Sequence, residues 1–259
     1  MIFVIDIGNT NIKYGVFSGD DLVATFRVVS KRNSTADEYG IMVRDLLSNA
    51  KIDKSDIEGV IISSVIPQLN YTMEHMCEQY LGIKPLMVGP GIKTGLNLKV
   101  DNPREVGADR IVNSVAAFKK YGGAKPIICI DFGTATTFNV ITETGELIGG
   151  VISPGIKGSL DSLVNGTAKL PNIELNLPKK IIAKDTVTNM QAGLLYGFAG
   201  LVSFIVENMK AELGRDVVVV VTGGLSETIA SLVKQIDYID RTLTLDGLKL
   251  LYNLNQKSV

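Results

Sequence analysis

One histidine and two cysteines in 259 residues leave the chain short of the parts that most nucleophilic and zinc chemistry needs. A Ser-His-Asp triad requires a histidine between its nucleophile and its acid, and a structural zinc requires nitrogen or sulfur ligands in a tetrahedral set. His75 does stand two residues before Cys77. Yet Leu69, Met73, Met76, Cys77 and Tyr80 keep helical spacing and turn His75 away from the packed stripe, as a solvated helix histidine. Cys129 lies in an apolar run, where a thiol acts as a small hydrophobe, and the pair suggests no disulfide framework. A catalytic base is therefore expected to be a carboxylate, and any metal to be bound by oxygen.

Charge in excess is missing too. The 26 Lys and Arg against 27 Asp and Glu give a net charge of −1, with no basic stripe to draw the chain to nucleic acid or an anionic membrane. Only four apolar residues separate Met1 from Asp6, too few for the hydrophobic region of a signal peptide, and no apolar run is expected to approach a membrane span. A cytoplasmic location follows as an expectation, with small molecules or a second copy of the chain as partners. With 46% hydrophobic and 20% charged residues the composition is globular, and the length suits two domains with separate cores.

What the chain does have is a repeat. Residues 127–130 form an apolar strand that leads into Asp131-Phe-Gly-Thr-Ala-Thr-Thr137, and 138–141 lead out. A near copy opens the protein: residues 2–5, then Asp6-Ile-Gly-Asn-Thr10, then 12–17, so the two aspartates stand 125 residues apart. In both copies a Gly-containing turn and a third extended stretch follow, 22–29 and 146–152. Gly8 and Gly133 permit a sharp bend and let a bulky anion approach main-chain N–H groups, while the hydroxyl and amide side chains after them can donate. An aspartate ahead of each turn, at the carboxyl end of a strand, can hold a hard cation. Either turn alone is equally readable as an ordinary hairpin. The duplication favours two turns that grip one nucleotide across a cleft, with domains at 1–122 and 123–259.

Between the repeats, Thr35-Ala-Asp-Glu38 is a capping box ahead of Tyr39, Met42, Val43, Leu46 and Leu47 at helical spacing. Residues 57–64 read as a buried strand, Pro67 opens the helix that carries His75, and 84–88 read as a short strand. Asn102-Pro-Arg-Glu105 reads as a helix start, with the helix running to Tyr121. Inside that start, Gly107 and Ala108 remove bulk beside Asp109, so a ligand can come close to its carboxylate. Asp109 and Arg110 are also what a helix start and its dipole favour on their own. Gly149-Gly-Val-Ile-Ser-Pro-Gly155 reads as a strand ended by a bent loop, either a pocket lining or a plain turn. Residues 170–184 are polar and aperiodic, an expected excursion near an opening. A long apolar helix follows 186–193 and reaches about Leu213, then a strand at 217–221 ends in Thr222-Gly-Gly224, where two glycines offer a flat surface to a planar ring.

Taken in order, Asp6-Ile-Gly-Asn-Thr10, Gly107-Ala-Asp-Arg110, Asp131-Phe-Gly-Thr-Ala135, 149–155, Met190-Gln-Ala-Gly193 and Thr222-Gly-Gly224 resemble the type III pantothenate kinases, within the actin, Hsp70 and sugar-kinase superfamily. The resemblance implies two duplicated ribonuclease H-like (actin-like ATPase) α/β domains, each a mixed sheet with flanking helices. It implies that Asp6, Ile7, Gly8, Asn9, Thr10, Asn11, Ile12 and Lys13 hold the phosphates of ATP, with Asp6 helping to place Mg²⁺. Thr134, Thr222, Gly223 and Gly224 become further ATP contacts, and Asp131 the holder of a monovalent cation, K⁺ or NH₄⁺. Gly107, Ala108, Asp109, Arg110 and Thr186 match the pantothenate site, with Asp109 as base, and a homodimer completes that site. Val100 departs from the family, which often has tyrosine there. Other readings are a sugar or acetate kinase, a polyphosphate hydrolase of the same superfamily, or a regulator akin to the Bvg accessory factor. The apolar helices at 111–118 and 194–206 suit either an interface or a core.

Overall fold

The computed structural model describes residues 1–256. Its contacts divide the chain into two compact units, residues 1–97, 101–116 and 243 onwards in the first, and 98–100 and 117–242 in the second.

The first unit is built on a five-stranded sheet in the order β3-β2-β1-β4-β5, made of β1 (Ile2–Ile7), β2 (Asn11–Ser18), β3 (Asp21–Val29), β4 (Gly59–Ser64) and β5 (Leu86–Met87). β1 pairs antiparallel with β2 and parallel with β4, so alternate residues meet helices on opposite faces. One face joins Phe3, Ile5, Ile7, Ile12 and Tyr14 to Tyr39, Val43 and Leu47 of α1 (Ala36–Asn49) and to Leu69, Met73 and Met76 of α2 (Pro67–Met76). The capping box forms as its sequence demands: Glu38 N donates to Thr35 Oγ1 at 3.2 Å, and Thr35 N donates to Glu38 Oε2 at 2.7 Å. His75 stacks on Tyr71 with ring centroids 5.8 Å apart, outside the buried stripe.

The chain's last helix returns to this unit. In α7 (Leu243–Gln256) the residues Leu243, Leu248 and Leu251 are fully buried, and a Cβ on Gly59 of β4 would lie 1.7 Å from the hydroxyl of Tyr252. Residues 243–256 thus group with the first unit, although they lie in the second half of the sequence.

The second unit carries a six-stranded sheet in the order β11-β10-β7-β8-β9-β6, from β6 (Asn97–Leu98), β7 (Ile127–Phe132), β8 (Ala135–Ile141), β9 (Glu146–Pro154), β10 (Val218–Gly223) and β11 (Tyr238–Ile239). β7, β10 and β11 are parallel, which brings their carboxyl ends to one edge. α4 (Ile156–Asn165) and α5 (Thr186–Leu213) cover one face. There Leu160, Met190, Leu194, Leu195, Phe198, Val202 and Val206 meet Ile128, Ile130, Val219 and Val221. A short α6 (Ser226–Ala230) follows β10.

Three expectations change. Asn102-Pro-Arg-Glu105 starts only a 3-10 turn, Pro103–Glu105; Val106 is extended, and the helix proper, α3 (Ala108–Tyr121), begins five residues after Pro103. The Asn102 side chain donates to Glu105 Oε1 at 2.6 Å instead of capping a helix N–H. Gly149 and Gly150 lie within β9, not in a loop after it: the strand continues to Pro154, and Gly149 takes φ +147° beside the register shift at Val140 and Ile141. Lastly, α5 is long and apolar enough to cross a membrane, with a mean hydropathy of 1.4 in its most apolar window. Half of that window is buried within the unit, where it forms the core just described.

Candidate functional site

In the first unit the Asp6 turn is closed by backbone bonds. Gly8 N donates to Asn11 O at 3.0 Å, and a Cβ on Gly8 would stand 3.1 Å from that oxygen. Ser30, at the end of β3, secures the turn from outside, its hydroxyl donating to Gly8 O at 2.6 Å and its N–H to Thr10 O at 3.0 Å. Asn9 and Thr10 remain exposed at the tip. Asp6 is buried, and its antiparallel partner across β1 and β2 is Lys13, whose Nζ stands 3.7 Å from Asp6 Oδ2. Pairing across the ladder puts both side chains on one face of the sheet.

Asp109 sits in the first turn of α3. Its Oδ1 accepts the Arg110 N–H at 2.8 Å, and a Cβ on Gly107 would lie only 2.6 Å from the same oxygen. A side chain at Gly107 would therefore push the carboxylate from its position. Burial raises the pKa of Asp109, and the Arg110 N–H, the Arg110 guanidinium and Lys13 oppose that shift. Lys13 therefore acts on two carboxylates, Asp6 by contact and Asp109 through space. No sequence spacing announces that convergence.

The second unit repeats the turn. Gly133 N donates to Ala135 O at 3.1 Å, Thr134 is exposed, and Gly155 N donates to Thr134 O at 3.2 Å. A Cβ on Gly155 would be 2.3 Å from Thr134 O, so β9 can return onto the turn only through glycine. Asp131 pairs in register with Thr222 of β10 on one side and Thr137 of β8 on the other. Gly223 holds φ +99°, and a Cβ there would fall 2.6 Å from Phe132 O. Ser226 Oγ fixes the same bend by donating to Gly223 O at 2.8 Å. Gly224 is exposed beyond it. Thr186 is the first residue of α5, with Asp185 as the cap that accepts the Thr188 N–H at 3.0 Å.

One charged group at this edge escaped the sequence reading. Asp240, just past β11, is buried and receives Lys120 Nζ at 2.5 Å and the Tyr121 hydroxyl at 2.9 Å. Its N–H donates to Val221 O at 2.8 Å, which places it alongside Thr222. Burial works to raise its pKa, but the bonds from Lys120 and Tyr121 outweigh that and hold it below the ordinary carboxylate range. The lysines closing α3 were the only hint in the sequence.

The donor sets suit phosphate and hard cations. Each Gly turn exposes main chain and hydroxyl groups at the carboxyl end of a strand. Among the described residues no three His, Cys, Asp or Glu side chains gather as a metal cage. Magnesium is commonly held by one or two carboxylates together with substrate phosphates and water, which Asp6 fits. Asp131 stands in register between Thr222 and Thr137, two hydroxyl-bearing neighbours in the sheet.

Duplicated mixed α/β units of this kind define the actin-like kinase fold. A glucokinase of the ROK family from Streptomyces griseus, in complex with glucose and AMPPNP, superposes with a TM-score of 0.57 at 14% identity, covering 99% of each chain. A Campylobacter jejuni protein described as a Baf family transcriptional activator gives 0.61 at 18% identity over 98% of this chain and 99% of that one. The ethanolamine utilization protein EutJ from Carboxydothermus hydrogenoformans gives 0.55 at 15% identity, over 96% and 89% respectively. At these identities the likeness is one of fold. The sequence pattern of type III pantothenate kinase matches residues 2–208, and the chain belongs to that family.

Proposed function

We propose that the protein transfers the γ-phosphoryl group of ATP to the primary hydroxyl of pantothenate, giving 4'-phosphopantothenate and ADP, the first step of coenzyme A biosynthesis. The carrying observation is Asp109: a half-buried carboxylate whose Oδ1 is fixed by Arg110 N–H and whose flank is kept free of a side chain by Gly107. The family match supports pantothenate as acceptor.

Asp109 Oδ2 takes the hydroxyl proton as the alcohol oxygen forms its bond to the γ-phosphorus and the bond to the β,γ-bridging oxygen breaks. Burial raises the pKa of Asp109 and with it its basicity, while Arg110 and Lys13 oppose that shift. Lys13 would hold the phosphates of bound ATP, and Asp6 would help to hold Mg²⁺. The bound metal supplies positive charge to the phosphate oxygens. Asn9 and Thr10 donate to the phosphates, Thr134 makes a further ATP contact, Thr222, Gly223 and Gly224 serve the adenosine, and Asp131 holds K⁺ or NH₄⁺. Gly107, Ala108, Arg110 and Thr186 hold pantothenate, and the protein works in the cytoplasm.

The homodimer is supported by α5, where Gly193, Gly197, Gly200 and Phe204 recur on one exposed face, with open space at each glycine Cβ and Phe204 68% exposed. A second copy can approach closely along such a face.

A coupled ADP-release assay with ATP, Mg²⁺ and pantothenate, with and without K⁺, tests the reading. Turnover that requires pantothenate and disappears in Asp109→Asn supports it; ADP release indifferent to pantothenate rejects the acceptor. Loss of the potassium response in Asp131→Ala supports the cation assignment, and a normal response rejects it.

A further inference from the structure

A cavity of about 470 Å³ lies in the first unit, at the carboxyl end of α1, lined by Arg44, Leu47, Ser48, Lys51, Ile52, Asp53, Lys54, Tyr80 and Leu81. None of these residues belongs to the proposed kinase machinery. We propose that this hollow binds a small organic phosphate, with its phosphate on the cationic rim and an apolar or planar part on the floor.

The rim is cationic for reasons the local fold makes plain. Arg44, Lys51 and Lys54 stand on the rim with one lining acid, Asp53, whose Oδ1 already accepts the N–H of Ser55 at 2.8 Å and its hydroxyl at 2.7 Å; Arg44 Nε also lies 3.7 Å from Asp45 Oδ1, an exposed pair that a phosphate can displace. A helix carboxyl end ordinarily repels anions through its unsatisfied carbonyls. Here the Leu46, Leu47 and Ser48 carbonyls accept the N–H groups of Ala50, Ile52 and Lys51 at 3.2, 3.0 and 2.9 Å, which softens that repulsion.

The backbone around the hollow is unusual at two points. Lys51 has φ +59°, the single positive φ among the described non-glycine residues. It closes the helix at a position where glycine is the common choice, and strain of this kind clusters at functional sites. The opposite wall is a π-helical turn, Cys77–Leu81, which carries Tyr80 and Leu81 to the cavity; such turns are rare and frequent at functional sites. Tyr80 lies against Gly40, where a Cβ would stand 2.2 Å from its ring, and its hydroxyl donates to Asp37 at 2.8 Å. Its ring is thereby held as a fixed wall. Leu47, Ile52 and Leu81, each less than a tenth exposed, supply the apolar floor. An arginine with two lysines over an apolar base matches a phosphate monoester with an apolar or aromatic body.

The test is a titration of the full chain, with its Leu and Ile methyl groups isotopically labelled for NMR, against phenyl phosphate and against inorganic phosphate. Saturable shifts at Leu47, Ile52 and Leu81, at least threefold tighter for phenyl phosphate, are expected. Lys51→Gly suits the φ at that position and keeps the fold, and it should weaken binding about fivefold or more, as should Arg44→Gln. Unshifted floor methyls, equal affinity for the two phosphates, or full affinity in both variants would overturn the proposal.

Discussion

Gly107→Ala isolates the orientation of the proposed base from its chemistry. The added Cβ would lie 2.6 Å from Asp109 Oδ1, whereas ordinary contact begins near 3.4 Å, so the carboxylate must withdraw by about 0.8 Å or rotate away from Arg110 N–H. Gly107 is not among the residues with positive φ, so alanine meets no backbone strain there and the effect falls on the side chain. A displacement of about 1 Å costs roughly 10²-fold in rate, or about 2.7 kcal/mol at the transition state. Steady-state ADP release at saturating ATP and pantothenate should show kcat reduced by that factor, while the thermal midpoint stays near that of the unaltered protein. An unchanged kcat in a folded Gly107→Ala protein would refute the claim that this contact orients the base.

Asp109→Asn should lower kcat by about 10²- to 10⁴-fold, read in the same assay alongside ATP binding, which should persist. Because burial raises the Asp109 pKa, kcat/KM should fall on the acid side as pH drops through a value above the ordinary carboxylate range, and a flat acid limb would contradict it. The same shift has a consequence for stability. What Asp109 contributes is fully present below its unfolded-state pKa and is lost as pH rises through the raised folded value, so Asp109→Asn should melt at or above wild type at pH 7, with the difference closing in acid. Asp240 has the opposite sign: its pKa is lowered, so its contribution is present at neutral pH and lost on acidification through the folded value. Asp240→Asn should cost about 2 kcal/mol at pH 7 by denaturant titration, and an unchanged midpoint would remove the Lys120 and Tyr121 bonds from the ledger of stability. Gly59→Ala, forced against Tyr252, should cost about 1–3 kcal/mol or more by the same titration.

Local chemistry was readable wherever neighbours in sequence settle the outcome. The capping box at Thr35 and Glu38 completes itself within four residues, and the Asp-x-Gly turns at 6–8 and 131–133 sit between apolar runs that can only be buried strands. Asn102 marks the limit of that logic. Its side chain found Glu105 first, Val106 stayed extended, and the helix began only where Gly107 gives way to Ala108. Gly149 likewise carries a loop's residue type in a strand, because pairing with β8 absorbs it at a register shift.

The sequence by itself determined the repeat, the strand-turn-strand units and the residue types at each turn, because backbone dihedral limits and apolar periodicity act over a few residues. Tertiary structure alone decided which distant groups share a field. Lys13 meets Asp6 through strand register and influences Asp109 through space; Asp240 meets Lys120 because β11 lies beside β10; and α7 covers a sheet whose first strand lies more than two hundred residues away. Those distances follow from packing two faces of each sheet at once, a constraint that no local pattern encodes.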